Sequence, residues 1–330
     1  MKSWNTSFTR AAAASLALAV LSGCAVNMPV PITEPAASTV AYTKGSALKP
    51  LNLAFRNDQS DADKAAFMTG TIPMNPMYKD KPLESVNWIA EQTVREMVAR
   101  GLPVTLAQDG SEATRVSVKR VHIENYRASG FSPFVTFTSA RADVETPQGM
   151  RRVTAYVKRA KVPVWSFNEV IDPTFNEPLS LLTKELAAKL NQQFFQQVVG
   201  TDQVESLAAK IDRDAATRGD AYLDVYQLGF SNNPAAIPHL VRLSSHSSEY
   251  VRLAALSSLG ILKAQGQLGF LIGRFEAPAG IWQDRAMALK AIGDLDTPES
   301  RAYLEKQLSK FSAGTDKEAM WTKEIIGLYL

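Results

Sequence analysis

One thiol stands in 330 residues, Cys24, inside LAVLSGCAVNMPVP (18–31), between an apolar run and a proline-rich stretch. It can form no disulfide within its chain, and an unpaired thiol in an exported protein requires some other use. The remaining chemistry-bearing types are scattered. His122 falls in a strand-like run, His239 in a helix after Pro238 and His246 in a turn; none has a cysteine or carboxylate at ligand spacing, so no metal site is expected. Serines are plentiful, yet no G-x-S-x-G turn presents one as a nucleophile. Glu84 and Glu91 read as surface charges of one helix. A denser cluster is Arg151, Arg152, Lys158, Arg159 and Lys161. Strand alternation puts Arg151, Arg159 and Lys161 on one face, with Arg152 and Lys158 on the other. That is the pattern of a solvated hairpin, or of a contact for a partner's carboxylates or lipid phosphates. Phe131, Phe134 and Phe137 form either the core of the same hairpin or an apolar patch. No enzyme activity is expected from these residues.

The surroundings of Cys24 explain it. Lys2 and Arg10 precede an uncharged apolar run, Ala11 to Leu21, whose eleven residues are too few to span a bilayer, which takes about 20. Leu21-Ser22-Gly23-Cys24 then resembles the lipobox of bacterial lipoproteins. The resemblance implies that residues 1–23 are a signal peptide cut between Gly23 and Cys24. It also implies that the Cys24 thiol is diacylated and that the new amine is acylated. Two or more chains anchor a protein lastingly where one does so only marginally. Ala25, in place of the aspartate associated with inner-membrane retention, implies the outer membrane, facing the periplasm. Residues 24–48, rich in Pro, Ala, Ser and Thr, are expected to be a disordered tether. The covalent lipid is the only prosthetic group expected.

The formal charge of +3 falls near neutrality once Lys2 and Arg10 are removed, which argues against a nucleic-acid partner held by a basic surface. No later apolar run approaches membrane-spanning length, so lipid is the expected membrane contact.

Residues 49–200 carry mixed periodicity. LNLAF (51–55) is a strand signal. PLESVNWIAEQTVREMVARG (82–101) is a helix with Val86, Ile89, Ala90, Val94, Met97 and Val98 on one stripe, Pro82 in its first turn and Gly101 as its stop. LPVTLA (102–107) returns as a strand. Three β-branched or aromatic runs follow: 115–127, 134–145 and 151–165. An amphipathic helix spans roughly 178–199. The expected fold is α+β, a largely antiparallel sheet with two helices on one face. The run from Leu83 through Tyr126, with its helix, "ARG", short strand and RVSVKRVHIENY, resembles the YajG-like envelope lipoproteins, relatives of the auxiliary lipoproteins of ABC-type transport systems. The resemblance implies a periplasmic, non-enzymatic domain that docks onto envelope partners.

Residues 201–330 repeat. Asp202 and Glu205 have capping-box spacing at the start. YLDVYQLGF, VRLAALSSLGIL, DRAMALKAIGDL and MWTKEIIGLYL align on Gly229, Gly260, Gly293 and Gly327, which are 31, 33 and 34 residues apart. A second helix lies between each pair: Leu240, Leu271 and Leu304 recur at 31 and 33 residues. The motif V/D-R-x-x-A-L-x-x-L/I-G resembles HEAT repeats of the short bacterial type. This implies a stacked all-α array in which Ala255 and Ala288 permit close packing, Gly260 and Gly293 end helices, and Arg252 and Arg285 tie neighbouring units, with Asp294 as acceptor. The chain is therefore expected to be a lipid-anchored interaction scaffold whose repeats offer a curved surface to an envelope protein. The alternative is a transport accessory that guides lipid-like cargo. An apolar cavity between the 82–100 helix and the sheet would favour cargo; a filled core would favour docking.

Overall fold

The computed structural model describes residues 28–43, 48–107, 112–161, 166 and 168–330; Gly23, Cys24 and the signal run lie outside them. The chain is mixed α/β, with its strands in the first half and helices throughout the second. Among the described residues the main sheet runs β6 (Val104–Leu106), β2 (Leu51–Asn57), β7 (Thr114–Tyr126), β8 (Phe134–Thr146), β9 (Gly149–Lys161), and β3 (Met68–Gly70) pairs with β7 beyond β2. A small sheet joins β1 (Met28–Pro31), β4 (Met74–Tyr78) and β5 (Lys81–Pro82).

The sheet is mixed rather than largely antiparallel. β7, β8 and β9 are antiparallel, each 13 residues long, but β2 pairs parallel with both β6 and β7, and β3 is parallel to β7. The cause is connection length. Hairpin loops can only reverse direction, whereas the helix between β2 and β6 carries the chain back to where it can run alongside. After α1 (Asp61–Ala65), that helix is α2 (Ser85–Ala99). Pro82 lies in β5 instead of its first turn, and Gly101, at φ +86°, takes the left-handed turn that follows the helix. Val86, Ile89, Val94 and Met97 are buried, while Val98 faces solvent. After the short α3 (Asn168–Ile171) and one π-helical turn, α4 (Glu177–Phe194) packs beside α2 on the same sheet face. Among the described residues, the space between them and the sheet holds a void of about 10 Å³, lined by Ile89, Leu186, Leu190, Ala140 and Val144 among others. That core is filled.

Helices then alternate between two layers. α6 (Ala221–Phe230), α8 (Glu249–Ile261), α10 (Trp282–Leu295) and α12 (Lys317–Gly327) stack in order, each packed against the next. α5 (Thr201–Asp214), α7 (Ile237–Leu243), α9 (Leu268–Phe275) and α11 (Pro298–Phe311) lie outside them and bury few residues each. The aligned glycines sit inside or at the ends of the inner helices with ordinary helical backbone, and most serve approach rather than termination. A Cβ on Gly260 would lie 2.6 Å from the Ala291 Cα, and one on Gly293 would lie 2.4 Å from the Tyr329 ring. Capping also differs from expectation. Gly200 is the N-cap of α5, and Glu205 reaches across to His239 at 3.1 Å instead of closing a box with Asp202.

The inner layer does not stand free. It covers the second face of the sheet. Trp282 and Trp321 close on Phe137 at ring separations of 5.8 and 4.7 Å, and Phe137 stacks on Tyr156. Glu324 of α12 meets His122 Nδ1 at 2.6 Å, and Tyr250 donates to the Ala160 carbonyl at 2.7 Å. Phe134 faces the other way onto Phe175, and Phe131 is fully exposed at the hairpin tip, so the three phenylalanines form no common patch.

Residues 28–43, expected to lie within the tether, are a strap. β1 pairs parallel with β4, Met28 and Ile32 donate to the carbonyls of Pro73 and Met77, and Pro29 and Pro31 fall at alternate positions that need no donor. Val30, Ile32 and Tyr42 are buried; the Tyr42 hydroxyl donates to the Phe230 carbonyl at 3.0 Å, and Thr43 N to the Val198 carbonyl at 2.7 Å. Single apolar residues among prolines give no period to detect, yet backbone bonds and three anchors suffice to place the segment.

Gly260→Ala should destabilise the protein by about 1–3 kcal/mol, because backbone stands where the methyl must go. Gly327→Ala, with open space around it, should be neutral or stabilising by up to about 1 kcal/mol. Paired thermal melts check this; equal effects would mean that the repeats do not pack through their glycines.

Candidate functional site

α4 presents Glu185 and Lys189 one turn apart, and α10 presents Lys290 and Asp294 at the same spacing. Packed against each other, the two helices close a ring of alternating charge. Lys189 Nζ lies 2.6 Å from both Glu185 Oε1 and Asp294 Oδ1, and Lys290 Nζ lies 2.6 Å from Glu185 Oε1 and 2.8 Å from Asp294 Oδ2. All four side chains are buried. The Lys189 ammonium gives its remaining proton to the Thr154 carbonyl of β9 at 2.7 Å, and Lys290 donates to Ser257 Oγ of α8 at 2.9 Å. The Tyr329 hydroxyl donates to Asp294 Oδ1 at 2.9 Å. Two cations and two anions sum to zero, so no buried charge is left without an opposite beside it, although Glu185 Oε2 accepts no hydrogen bond among the described residues. Burial pushes the Asp294 carboxyl up, but the Lys189 and Lys290 ammoniums outweigh it and hold the group below the usual carboxylate range. Burial lowers Lys290, and the two carboxylates more than offset it, leaving the group above its ordinary value.

Beside this ring opens a cleft of about 330 Å³, between the free end of the β8–β9 hairpin, α10, α11 and residues 329–330. Asp294 and Lys189 form part of its floor, with Val153, Leu304 and Tyr329 in the walls and Met150 exposed at the lip. Arg152 is held by Asp143 at 3.1 Å and donates to the Tyr329 and Leu330 carbonyls at 3.2 and 2.6 Å. Lys263 is paired with Asp296 at 3.3 Å. Arg151 has no bonding partner among the described residues, and Arg301 has only Glu305, 3.8 Å away, both more than half exposed.

The cationic cluster read from the sequence is therefore divided. Arg151 is exposed at the cleft. Arg159 is buried, paired with Glu177 at 2.5 Å and held between the rings of Tyr222 and Tyr250 at 4.3 and 4.1 Å, so it cannot reach a partner. Its burial follows from α6 and α8 closing over the end of β9, which strand alternation alone does not reveal. Lys161 is half-buried at the far end of the strand from Arg151. Arg252 reaches Asp284 of the next inner helix at 2.9 Å, and Arg285 reaches Glu318 of the one after. Each also donates to carbonyls of the turn before its own helix: His246 and Ser247 for Arg252, Gly280 for Arg285. Both tie neighbouring units, but Asp294 is not their acceptor, because the lysine ring occupies it.

Arg100, the arginine of "ARG", escaped notice as a functional group. It is buried, donates to Glu96 at 2.7 Å, Ser38 Oγ at 3.0 Å and Gln227 Oε1 at 2.8 Å, and so joins strap, α2 and α6. Burial raises the Glu96 carboxyl, and Arg100 with Ser38 outweighs it. The only trace of this role in the sequence is a charge at the end of an apolar stripe. No three of His, Cys, Asp and Glu gather as a metal-holding group among the described residues, and no described helix is long and apolar enough to cross a membrane.

No family model and no curated protein matches the chain. Among solved structures, a crystal structure of an uncharacterized protein aligns over 47% of this chain and 96% of its own at 12% identity, with a TM-score of 0.27.

Lys290→Met should cost about 3–5 kcal/mol, since it strands a buried carboxylate, whereas replacing all four ring residues by Leu and Met should recover most of the loss. Urea titrations of both variants decide it; a cost below about 1 kcal/mol for the single change would show that the ring holds nothing. The pH dependence has a definite sign. Asp294, depressed in the fold, stabilises above about pH 4 and loses its contribution as pH falls through its lowered value. Lys290, raised, stabilises below about pH 10 and loses its contribution above that. The stability gap between wild type and Lys290→Met should thus narrow on acidification, because the carboxylate stranded in the variant is raised by burial and relieves its penalty by taking up a proton, while Asp294 of the wild type loses its contribution.

Proposed function

We propose that the protein is a lipid-anchored interaction scaffold of the bacterial cell envelope. In this reading Cys24 carries the acyl chains, holding the chain at the outer membrane and facing the periplasm. The YajG-like half is the platform, and residues 201–330 are a HEAT-like array built onto it. The observation that carries the proposal is the filled core: with about 10 Å³ left between α2, α4 and the sheet, the place where a cargo lipid would sit is taken by side chains. Both faces of the sheet are covered by the chain's own helices, so the inner helical face is spent on the sheet. A partner must then meet the outer helices or the cleft at the hairpin end. The work asked of such a body is shape retention, which the strap, Arg100 and the charge ring all serve.

One observation favours the second reading, a transport accessory that guides lipid-like cargo. A groove of about 430 Å³ lies between the strap and α5, with Val40, Val199, Val204 and Leu207 in its lining. It is open to solvent, unlike the core, and could take an acyl chain only along the surface.

Cys24→Ser should move the protein from the membrane fraction to the soluble periplasm with an unchanged circular dichroism spectrum. Crosslinking in envelopes followed by affinity capture should recover a protein partner from the wild type. Recovery of lipid alone would overturn the scaffold and promote cargo; an unfolded Cys24→Ser variant would give the thiol a structural role.

A further inference from the structure

We propose that the cleft beside the charge ring binds an acidic peptide segment of a protein partner. The Arg151 and Arg301 guanidiniums would take its carboxylates, and the Asp296 carboxylate would accept one of its N–H groups. This rests on the scaffold reading and specifies the contact.

The volume, about 330 Å³, is at the lower end of what small ligands and a few side chains occupy. Among side chains the lining carries five cations against three carboxylates, and Arg152 meets the backbone oxygen of Leu330 there as well. Most of that charge is already used. Lys189 belongs to the buried ring, Arg152 to Asp143 and two backbone carbonyls, and Lys263 to Asp296. Arg151, without a partner, and Arg301, with only a distant one, are left with unspent donors, five N–H each in a planar fork suited to a carboxylate. They come from different elements, β9 and α11, so an anion that bridges them is held from two sides of the cleft.

The ligand's class follows from what else is there. A phosphate ion offers mainly acceptors, which suit the arginines but leave the exposed Asp296 carboxylate without a donor of its own. A peptide brings carboxylates and N–H donors together, and so can satisfy the arginines and the exposed Asp296 at once. Met150 at the lip and Leu304 in the wall give its aliphatic portions a surface to cover. The floor is rigid because the charge ring and the Tyr329 hydroxyl fix Asp294 and Lys189, so little ordering cost falls on the protein when the peptide enters.

The test uses the full-length chain released from the membrane by Cys24→Ser and a short fluorescein-labelled peptide of alternating glutamate and leucine, read by polarisation. A lysine–leucine peptide is the control. Saturable, salt-weakened binding of the acidic peptide alone is expected, with about a tenfold loss in Arg151→Gln/Arg301→Gln and no change in Arg242→Gln on the outer layer. Inorganic phosphate and phosphatidylglycerol vesicles should not displace it. Absence of saturable binding, equal binding by the double variant, or displacement by phosphate or vesicles would each overturn the proposal. Envelope capture with the same double variant separates the two levels. A partner retained when the peptide does not bind refutes the cleft and leaves the scaffold standing; no partner even from the wild type refutes the scaffold, whatever the peptide does.

Discussion

The ring of Glu185, Lys189, Lys290 and Asp294 sets the terms for the rest of the molecule. Four buried charges each have an opposite on two sides, one from the same helix a turn away and one from a helix more than a hundred residues distant in sequence. α4 belongs to the sheet and α10 to the helical array, so the ring can close only when the array is seated on the sheet in one register. A sliding error of one turn would break both cross-helix pairs and leave each helix only its own pair, Glu185–Lys189 or Lys290–Asp294, half-compensated in a buried place. Apolar contacts alone tolerate such errors far better. The Phe137, Trp282 and Trp321 cluster supplies attraction between the layers, and the ring supplies its registration.

Close seating has its own requirement inside the array. Lys290 reaches Ser257 of the preceding inner helix because Gly260 lets α10 come within van der Waals distance of α8, and Gly293 does the same for the ring of Tyr329, whose hydroxyl completes the coordination of Asp294. The glycine pattern and the charge ring are thus parts of one arrangement. Arg252 ties that same α8–α10 pair through Asp284, and Arg285 ties α10 to α12 through Glu318, so both hold the spacing that these contacts need.

What was legible in the sequence follows this division. A repeat announces itself because the same local environment recurs at a fixed period, so the inner and outer helices, their glycines and the tying arginines could all be read from VRLAALSSLG and DRAMALKAIG. The hairpin strands were readable from alternation. The strap was not, because Val30, Ile32 and Tyr42 are isolated among prolines and their placement comes from backbone bonds to β4 and to residues 100, 198 and 230. Nor was the second covered face of the sheet. Lys158, placed with Arg152 on the second face of the strand, is buried because the array brings Glu249 to meet it, and Thr154 on the same face meets Asp294. The candidate cleft combines both cases: Arg151 was singled out, whereas Arg301 and Asp296 come from a distant helix end that no local pattern connects to β9. Arg159, chosen by the same alternation as Arg151, is buried because closure by α6 and α8 acts on one end of the strand and not the other.

Seating the array on the sheet also changes what each half can offer. In an isolated stack of helix pairs the inner layer would be the natural recognition surface, continuous and curved. Here its side chains are committed to the sheet, and the outer helices bury so little that they behave as a covering. The places left with unspent bonding capacity are where the two layers part, at the hairpin end, and there the sheet contributes Arg151 and the array contributes Arg301 and Asp296. A site made jointly by both halves exists only while they are correctly registered. The buried ring that enforces registration therefore also maintains the geometry of the surface that remains available to a partner.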